Sequence, residues 1–262
     1  MRILTLVLFL WPVILPAQDI EVDVELFLAV DVSRSMNRDE LELQRQGYSQ
    51  ALMDADVLAA IKDGPLGRIA VTYVEWAGDQ AQRIVVPWQI LATTQDAQNI
   101  AETIAARKSP AMRRTSISGA LAYAMESFEH NGFTGLRRVI DVSGDGPNNQ
   151  GPPVTQLRDA AVARGFVING LPLMTVDLLS EFWGIPDLDI YYENCVIGGP
   201  GAFVVPVLSW NEFPAAIKRK LILEVSALPP YVRQAQFAVP SPYDCLVGEK
   251  MREANRTYFE IP

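Results

Sequence analysis

The chain is poor in the residues that build the commonest catalytic and metal sites. Only two cysteines and one histidine occur among 262 residues. Two cysteines alone cannot build a structural zinc site. His130, followed by Asn131-Gly132, reads as a helix C-terminal residue rather than a general base. Basic residues are in deficit, 22 Lys plus Arg against 31 Asp plus Glu, for a formal charge of −9. No basic cluster with interleaved aromatics offsets that charge, which argues against nucleic acid as a partner. Phosphate-binding glycine motifs are missing as well: Gly198-Gly199-Pro200-Gly201 lacks both the spacing and a following helix. No apolar run is long enough to span a bilayer comfortably, since Ile3 to Leu15 is short and broken by Thr5 and Pro12. No internal repeat is seen.

What is present reads first as an export signal. Arg2, the apolar stretch that follows and Leu15-Pro16-Ala17 form a charged n-region, a short h-region and a small residue at a cleavage position. Residues 1–17 are therefore expected to be a signal peptide, and the mature protein to be periplasmic or extracellular with no transmembrane segment. No cysteine follows the cleavage site to carry a lipid anchor. In an exported chain the pair Cys195 and Cys245 points to a disulfide closing a loop of about 50 residues; the other reading is two buried thiols. Nearly half the residues are apolar and a fifth charged, the composition of an ordered globular protein. The length suits one sizeable α/β core.

The chain is organised around Glu25 to Met36. Leu26 to Val30 has the length and continuous hydrophobicity of a strand buried on both faces, as in a parallel sheet. Asp31 falls where that strand leaves the core, and ligands gather at the carboxyl ends of such strands. Ser33 and Ser35 follow at alternate positions, so three oxygen groups can converge. Asn37 with Glu40 reads as a helix cap. Leu41, Tyr48, Leu52, Ala55 and Ala59 predict one helical stripe running to Gly64-Pro65. Arg68–Trp76 and Arg83–Leu91 predict a hairpin, with Pro87 placing the second strand at an edge. Thr94–Ala106 predicts a helix. A second amphipathic helix starts at Ile117, with Ser116 as N-cap, which leaves Thr115 in the preceding loop. Arg138–Ser143 predicts another buried strand, running into Gly144-Asp145-Gly146; Asp141, inside it, reads as a supporting or paired carboxylate. A helix over Thr155–Arg164, strands over Phe166–Leu171 and Phe203–Leu208, and a helix over Trp210–Val225 follow. The basic residues Lys218 to Lys220 lie in that last helix's second half, where the dipole favours cations.

Asp31-Val32-Ser33-Arg34-Ser35 resembles the DxSxS signature of the von Willebrand factor type A domain and its metal-ion-dependent adhesion site. Thr115 before a helix and Asp145-Gly146 after a strand match that site's second and third elements, in the family's order. The Glu75-Trp76 strand, the segment Asp141 to Asn149, the export signal and the late cysteine pair are similar to a bacterial family of exported A-domain proteins without established function. The resemblance implies an α/β fold with a doubly wound, mainly parallel sheet, helices on both faces and one antiparallel edge strand. It would occupy residues 20–226, with 227–262 as a C-terminal extension tied on by the disulfide. It further implies a metal site of Asp31, Ser33, Ser35, Thr115 and Asp145 for Mg²⁺, or else Mn²⁺ or Ca²⁺, and a protein ligand that offers a carboxylate. Arg34 and Met36 would stand at the site's mouth.

The oxygen-only donor set agrees with a hard dication. Enzyme chemistry fits less well. An aspartyl-phosphate phosphatase needs a second Asp where Ser33 stands, and Ser143 lacks the glycine that a nucleophile elbow needs two residues before it. The function expected is a non-enzymatic, cation-dependent adhesion or assembly module. The alternatives are a metal-dependent phosphohydrolase at the same site and a structural domain that has lost its ion.

Overall fold

A computed structural model describes residues 18–109, 111–175, 184–226 and 243–259. The expected signal peptide and the first part of the expected C-terminal extension, 227–242, lie outside the described residues.

Five strands form the sheet: β1 (Ile20–Asp31), β2 (Ile69–Trp76), β3 (Gln82–Leu91), β4 (Phe133–Gly144) and β5 (Phe166–Pro172). Their order is β3-β2-β1-β4-β5, parallel throughout except for the β2–β3 hairpin. β3, which carries Pro87, is the antiparallel edge, as expected. Both β1 and β4 extend further towards their N-terminal ends than their apolar runs. The additional length is pinned by the buried Glu25, which accepts Gly135 N–H at 2.7 Å and Asn131 Nδ2–H at 2.6 Å.

Alternation along β1 divides the core into two layers. Val24, Leu26, Leu28 and Val30 face α1 (Arg38–Leu52), α2 (Ala55–Lys62), α3 (Thr94–Ala106) and α7 (Phe213–Val225). Phe27 and Ala29 face α4 (Ile117–Ser127), α5 (Val154–Ala163) and the short α6 (Leu188–Tyr191) with the wide turn Tyr192–Val196 that continues it. A strand buried on both faces has no polar side to show, which is why its sequence reads as one apolar run.

Three expectations change. The single helix after Asn37 is two: Asp54 caps a fresh start by accepting Asp56 N–H at 2.9 Å. That restart turns Val57 and Ile61 inward and leaves Ala55 and Ala59 exposed. Phe203–Leu208 is not a strand but a segment with isolated bridges, from Val204 to Gly170 of β5 and from Val207 to Leu173 just past its end. Bonds flank Pro172 on both sides, from Gly170 N–H to Phe203 O at 3.0 Å and from Met174 N–H to Val207 O at 2.8 Å. Pro172 has no N–H for the bond between them, so the ladder breaks there. Finally, Lys220 does not serve a helix dipole. It is buried, 2.5 Å from Asp141 Oδ1 on β4 and 2.5 Å from Glu224 Oε1 one turn on. Asn169 Nδ2 of β5 donates to the same Glu224 oxygen at 3.1 Å. The close approach of α7 to α1 depends on Gly47, where a Cβ would lie 2.5 Å from the Phe213 ring.

Two carboxyls share one ammonium in this cluster. Burial, and then the Asp141 charge, push the Glu224 carboxyl up to about 7 from its usual 4.5, against the pull of Lys220 and Asn169. Asp141 is raised by burial too, and Lys220 opposes this. Because Glu224 titrates higher in the folded chain than in the unfolded one, its contribution to stability is fully present below about pH 4.5. That contribution is lost as pH rises through about 7. Chemical denaturation at pH 5 and pH 8 should therefore show a fall in stability with rising pH that Glu224→Gln reduces. Lys220→Met, which leaves two buried acids without their cation, should cost about 3–5 kcal/mol near neutral pH.

Candidate metal centre

β1 and β4 are neighbours whose onward connections run to opposite sides of the sheet. The crevice beyond their carboxyl ends is thus a topological switch point, where α/β sheets place their ligands. Val30 pairs with Ser143, so Asp31 and Asp145 leave the sheet side by side.

Asp31 is fully buried. Its Oδ1 accepts the Ser33 N–H at 2.7 Å, an Asx turn that folds the chain back at once. The turn sets Ser33 Oγ 2.8 Å from Ser35 Oγ. Both hydroxyls then donate to Asp145 Oδ1, from Ser35 at 2.8 Å and from Ser33 at 3.4 Å. Gln44 of α1 holds the backbone from below, Nε2 donating to Asp31 O at 2.9 Å. Gly144 is needed for the close approach: a Cβ there would lie 3.0 Å from Asp31 Oδ2 and 2.9 Å from the Tyr192 hydroxyl.

Thr115, 6 % exposed, arrives on the loop between α3 and α4. Met112 N–H donates to Val32 O at 2.9 Å, which lays this loop against the Asx turn. Thr115 N–H donates to Asn149 Oδ1 at 3.0 Å, and Asn149 N–H returns a bond to Thr115 O at 2.8 Å. Ser116 caps α4 as expected, accepting Gly119 N–H at 3.1 Å. The Ser33 and Ser35 hydroxyls thus meet at Asp145, Asp31 is joined to them through the Ser33 N–H, and the loop bearing Thr115 is stitched to both segments. Arg34 is exposed. Met36, expected at the mouth, is only 3 % exposed and packs in the core beside α1, because its N–H closes a tight turn onto Ser33 O that points the side chain inward.

Electrostatically the site is unfinished. Burial, and then the charge of Asp145, hold the Asp31 carboxyl well above the usual carboxylate range, although the Ser33 N–H and hydroxyl and the Asp145 N–H pull it down. Asp31 Oδ2 is buried with no hydrogen-bond partner of acceptable geometry. Among the described residues no group of three or more His, Cys, Asp and Glu side chains could hold a metal. Any cation here must therefore rely on hydroxyls beside two carboxylates, an all-oxygen set that suits a hard dication. The residues fit such an ion.

Sequence reasoning missed the supports. Tyr192 lies under the site, its hydroxyl pushed up by burial and then by the Asp31 charge, within a stretch that shows no periodicity. The C-terminal segment, expected only as an extension tied on by the disulfide and packed on the domain, contains α8 (Val247–Phe259), whose contacts reach the loop carrying Asp145. Asn148 Nδ2 donates to Glu249 Oε1 at 2.7 Å, and Arg252 NH1 donates to Asn149 O at 3.0 Å. Gly248 permits this contact, since a Cβ there would stand 2.2 Å from Asn148 O. The Cys195–Cys245 disulfide ties the start of α8 to the turn that bears Tyr192.

The architecture is that of a von Willebrand factor type A domain. Proximal thread matrix protein 1 from the mussel byssus superimposes with a TM-score of 0.54 at 17 % identity, over 79 % of this chain and 49 % of that one. The same protein with a zinc-occupied MIDAS motif matches with the same values. A von Willebrand factor type A protein from Catenulispora acidiphila gives 0.55 at 14 % identity, over 78 % of this chain and 43 % of that one. The chain thus spans about half the length of these structures or less. It belongs to the family described as protein of unknown function DUF1194, whose profile matches residues 21–229. A comparison with curated proteins found no match.

The disulfide closes a loop of 50 residues and anchors α8 over the site loop. Its removal by Cys195→Ser with Cys245→Ser should lower unfolding stability by about 4 kcal/mol. The same change should expose α8 to limited proteolysis before the rest of the domain. Equal stability and equal protection of the two forms would show that the helix is held by packing alone.

Proposed function

We propose that this chain is an exported, divalent-cation-dependent protein-binding module. Asp31, Ser33, Ser35, Thr115 and Asp145 hold Mg²⁺, or else Mn²⁺ or Ca²⁺, and a partner protein adds a carboxylate. The observation that carries the reading is the buried Oδ2 of Asp31, which no hydrogen bond of acceptable geometry reaches, set beside a second carboxylate and two linked hydroxyls. Asp31 and Asp145 balance a dication, and the neutral hydroxyls leave it electrophilic. When bound, the ion supplies an exchangeable position for an incoming acid. The zinc-occupied motif of the mussel protein supports divalent binding in this fold. Export is supported by the signal-like N-terminus and by the disulfide. Phosphoryl chemistry is disfavoured by Ser33, which stands where a second catalytic Asp belongs.

The test is calorimetry and thermal unfolding of the mature protein with Mg²⁺ and Mn²⁺. Ion at a hundred times its dissociation constant should add roughly 2.7 kcal/mol of stability. Asp31→Asn should abolish that gain, yet raise stability in chelator, because it removes a buried charge. Absence of ion binding at millimolar concentration would leave a structural domain. Metal-dependent turnover of a phosphate monoester would replace the binding reading by the hydrolytic one.

A further inference from the structure

The loop that delivers Thr115 is basic in a strongly acidic protein. Residues 107–114 include Arg107, Lys108, Arg113 and Arg114 and no carboxylate, against a formal charge of −9 for the whole chain. The bond from Met112 to Val32 sets Arg113 and Arg114 beside the turn that carries Arg34, and all three are exposed. Arg252 of α8 reaches the same place through its bond to Asn149 O.

Among the described residues none of Arg34, Arg113, Arg114 and Arg252 forms an ion pair. Acids close to this loop have other partners: Glu75 accepts from Arg83 and from the loop's own Ser109, Glu249 accepts from Asn148, and Asp79 lies against Gly151. Arg114 also holds a left-handed backbone, φ 77°, at a non-glycine position. Such backbone strain gathers where binding needs it.

We propose that these arginines form a rim that selects a partner segment bearing several carboxylates, one for the metal and its neighbours for the guanidinium groups. This rests on the metal reading above and narrows its partner from any acid to an acidic protein segment. Guanidinium is well suited, since its fork matches the two oxygens of a carboxylate. A peptide is favoured over a phosphate polymer because the chain's remaining surface, rich in Asp and Glu, repels an extended polyanion and tolerates a short one.

Two blocked pentapeptides test this, one with a single Asp among glycines and one with three successive Asp. Their affinities are read by calorimetry at saturating Mn²⁺, with occupancy confirmed by electron paramagnetic resonance in every variant. The triple-Asp peptide should bind roughly tenfold tighter than the single-Asp one, a ratio that shrinks in high salt. Arg113→Gln with Arg114→Gln should reduce the ratio towards unity, and Arg113→Lys with Arg114→Lys should restore much of it. Equal affinities in the wild type, or a ratio indifferent to these changes, overturn the rim. Tighter binding of a single-stranded oligonucleotide or of anionic vesicles with the metal chelated also overturns it, in favour of phosphate. If Mn²⁺ does not bind while the arginine-dependent ratio persists in chelator, the metal reading falls and the rim stands.

Discussion

A carboxylate removed from water beside another carboxylate is the constraint around which this domain is arranged. Asp31 is fully buried at the end of the central strand, Asp145 follows the neighbouring strand, and the parallel register allows them no distance from one another. Everything adjacent supplies partial positive charge or hydrogen-bond donors: the Ser33 N–H, the two serine hydroxyls and the Asp145 N–H. Those around the Asp31 carboxyl are all uncharged donors. Neutral donors soften the repulsion at Asp31 without cancelling it, and the carboxyl stays raised.

The contrast with Asp141 shows that the arrangement is local. Asp141 is as deeply buried, and it lies on the strand beside the one that ends in Asp31, yet α7 places the Lys220 ammonium 2.5 Å from it. Among the described residues one buried acid is matched by a cation of the protein and the other is not. The matched acid secures α7 to the sheet, and the unmatched one faces the crevice at the switch point. Burial alone therefore does not set a carboxylate's role; what faces it does.

A further consequence of the fold is that the site loops are supported from far away in the chain. Asn149 fastens Thr115, Arg252 of α8 fastens Asn149, and the disulfide holds α8 near the turn carrying Tyr192. The C-terminal segment is therefore continuous with the site rather than an appendage. It also completes a patch of positive charge that no single stretch of sequence displays, because Arg34, Arg113 and Arg252 lie on three separate elements.

The elements legible in the sequence were those whose signal is local. Continuous apolar runs marked β1 and β4, the Asn37–Glu40 and Ser116 caps marked α1 and α4, and Pro87 marked the edge. The spacing of Asp31, Ser33 and Ser35 could be read because an Asx turn involves residues two apart. What could not be read was settled by partners distant in sequence. Lys220 was claimed by a strand eighty residues earlier, and α8 was set against the site loop by Asn148 and Asn149, a hundred residues before it. The sequence by itself determined which side chains sit at strand ends, since hydrophobic periodicity and turn chemistry act over a few residues. Only the tertiary structure decided which buried charges are paired and which face a ligand, because Coulomb interactions depend on distance through space.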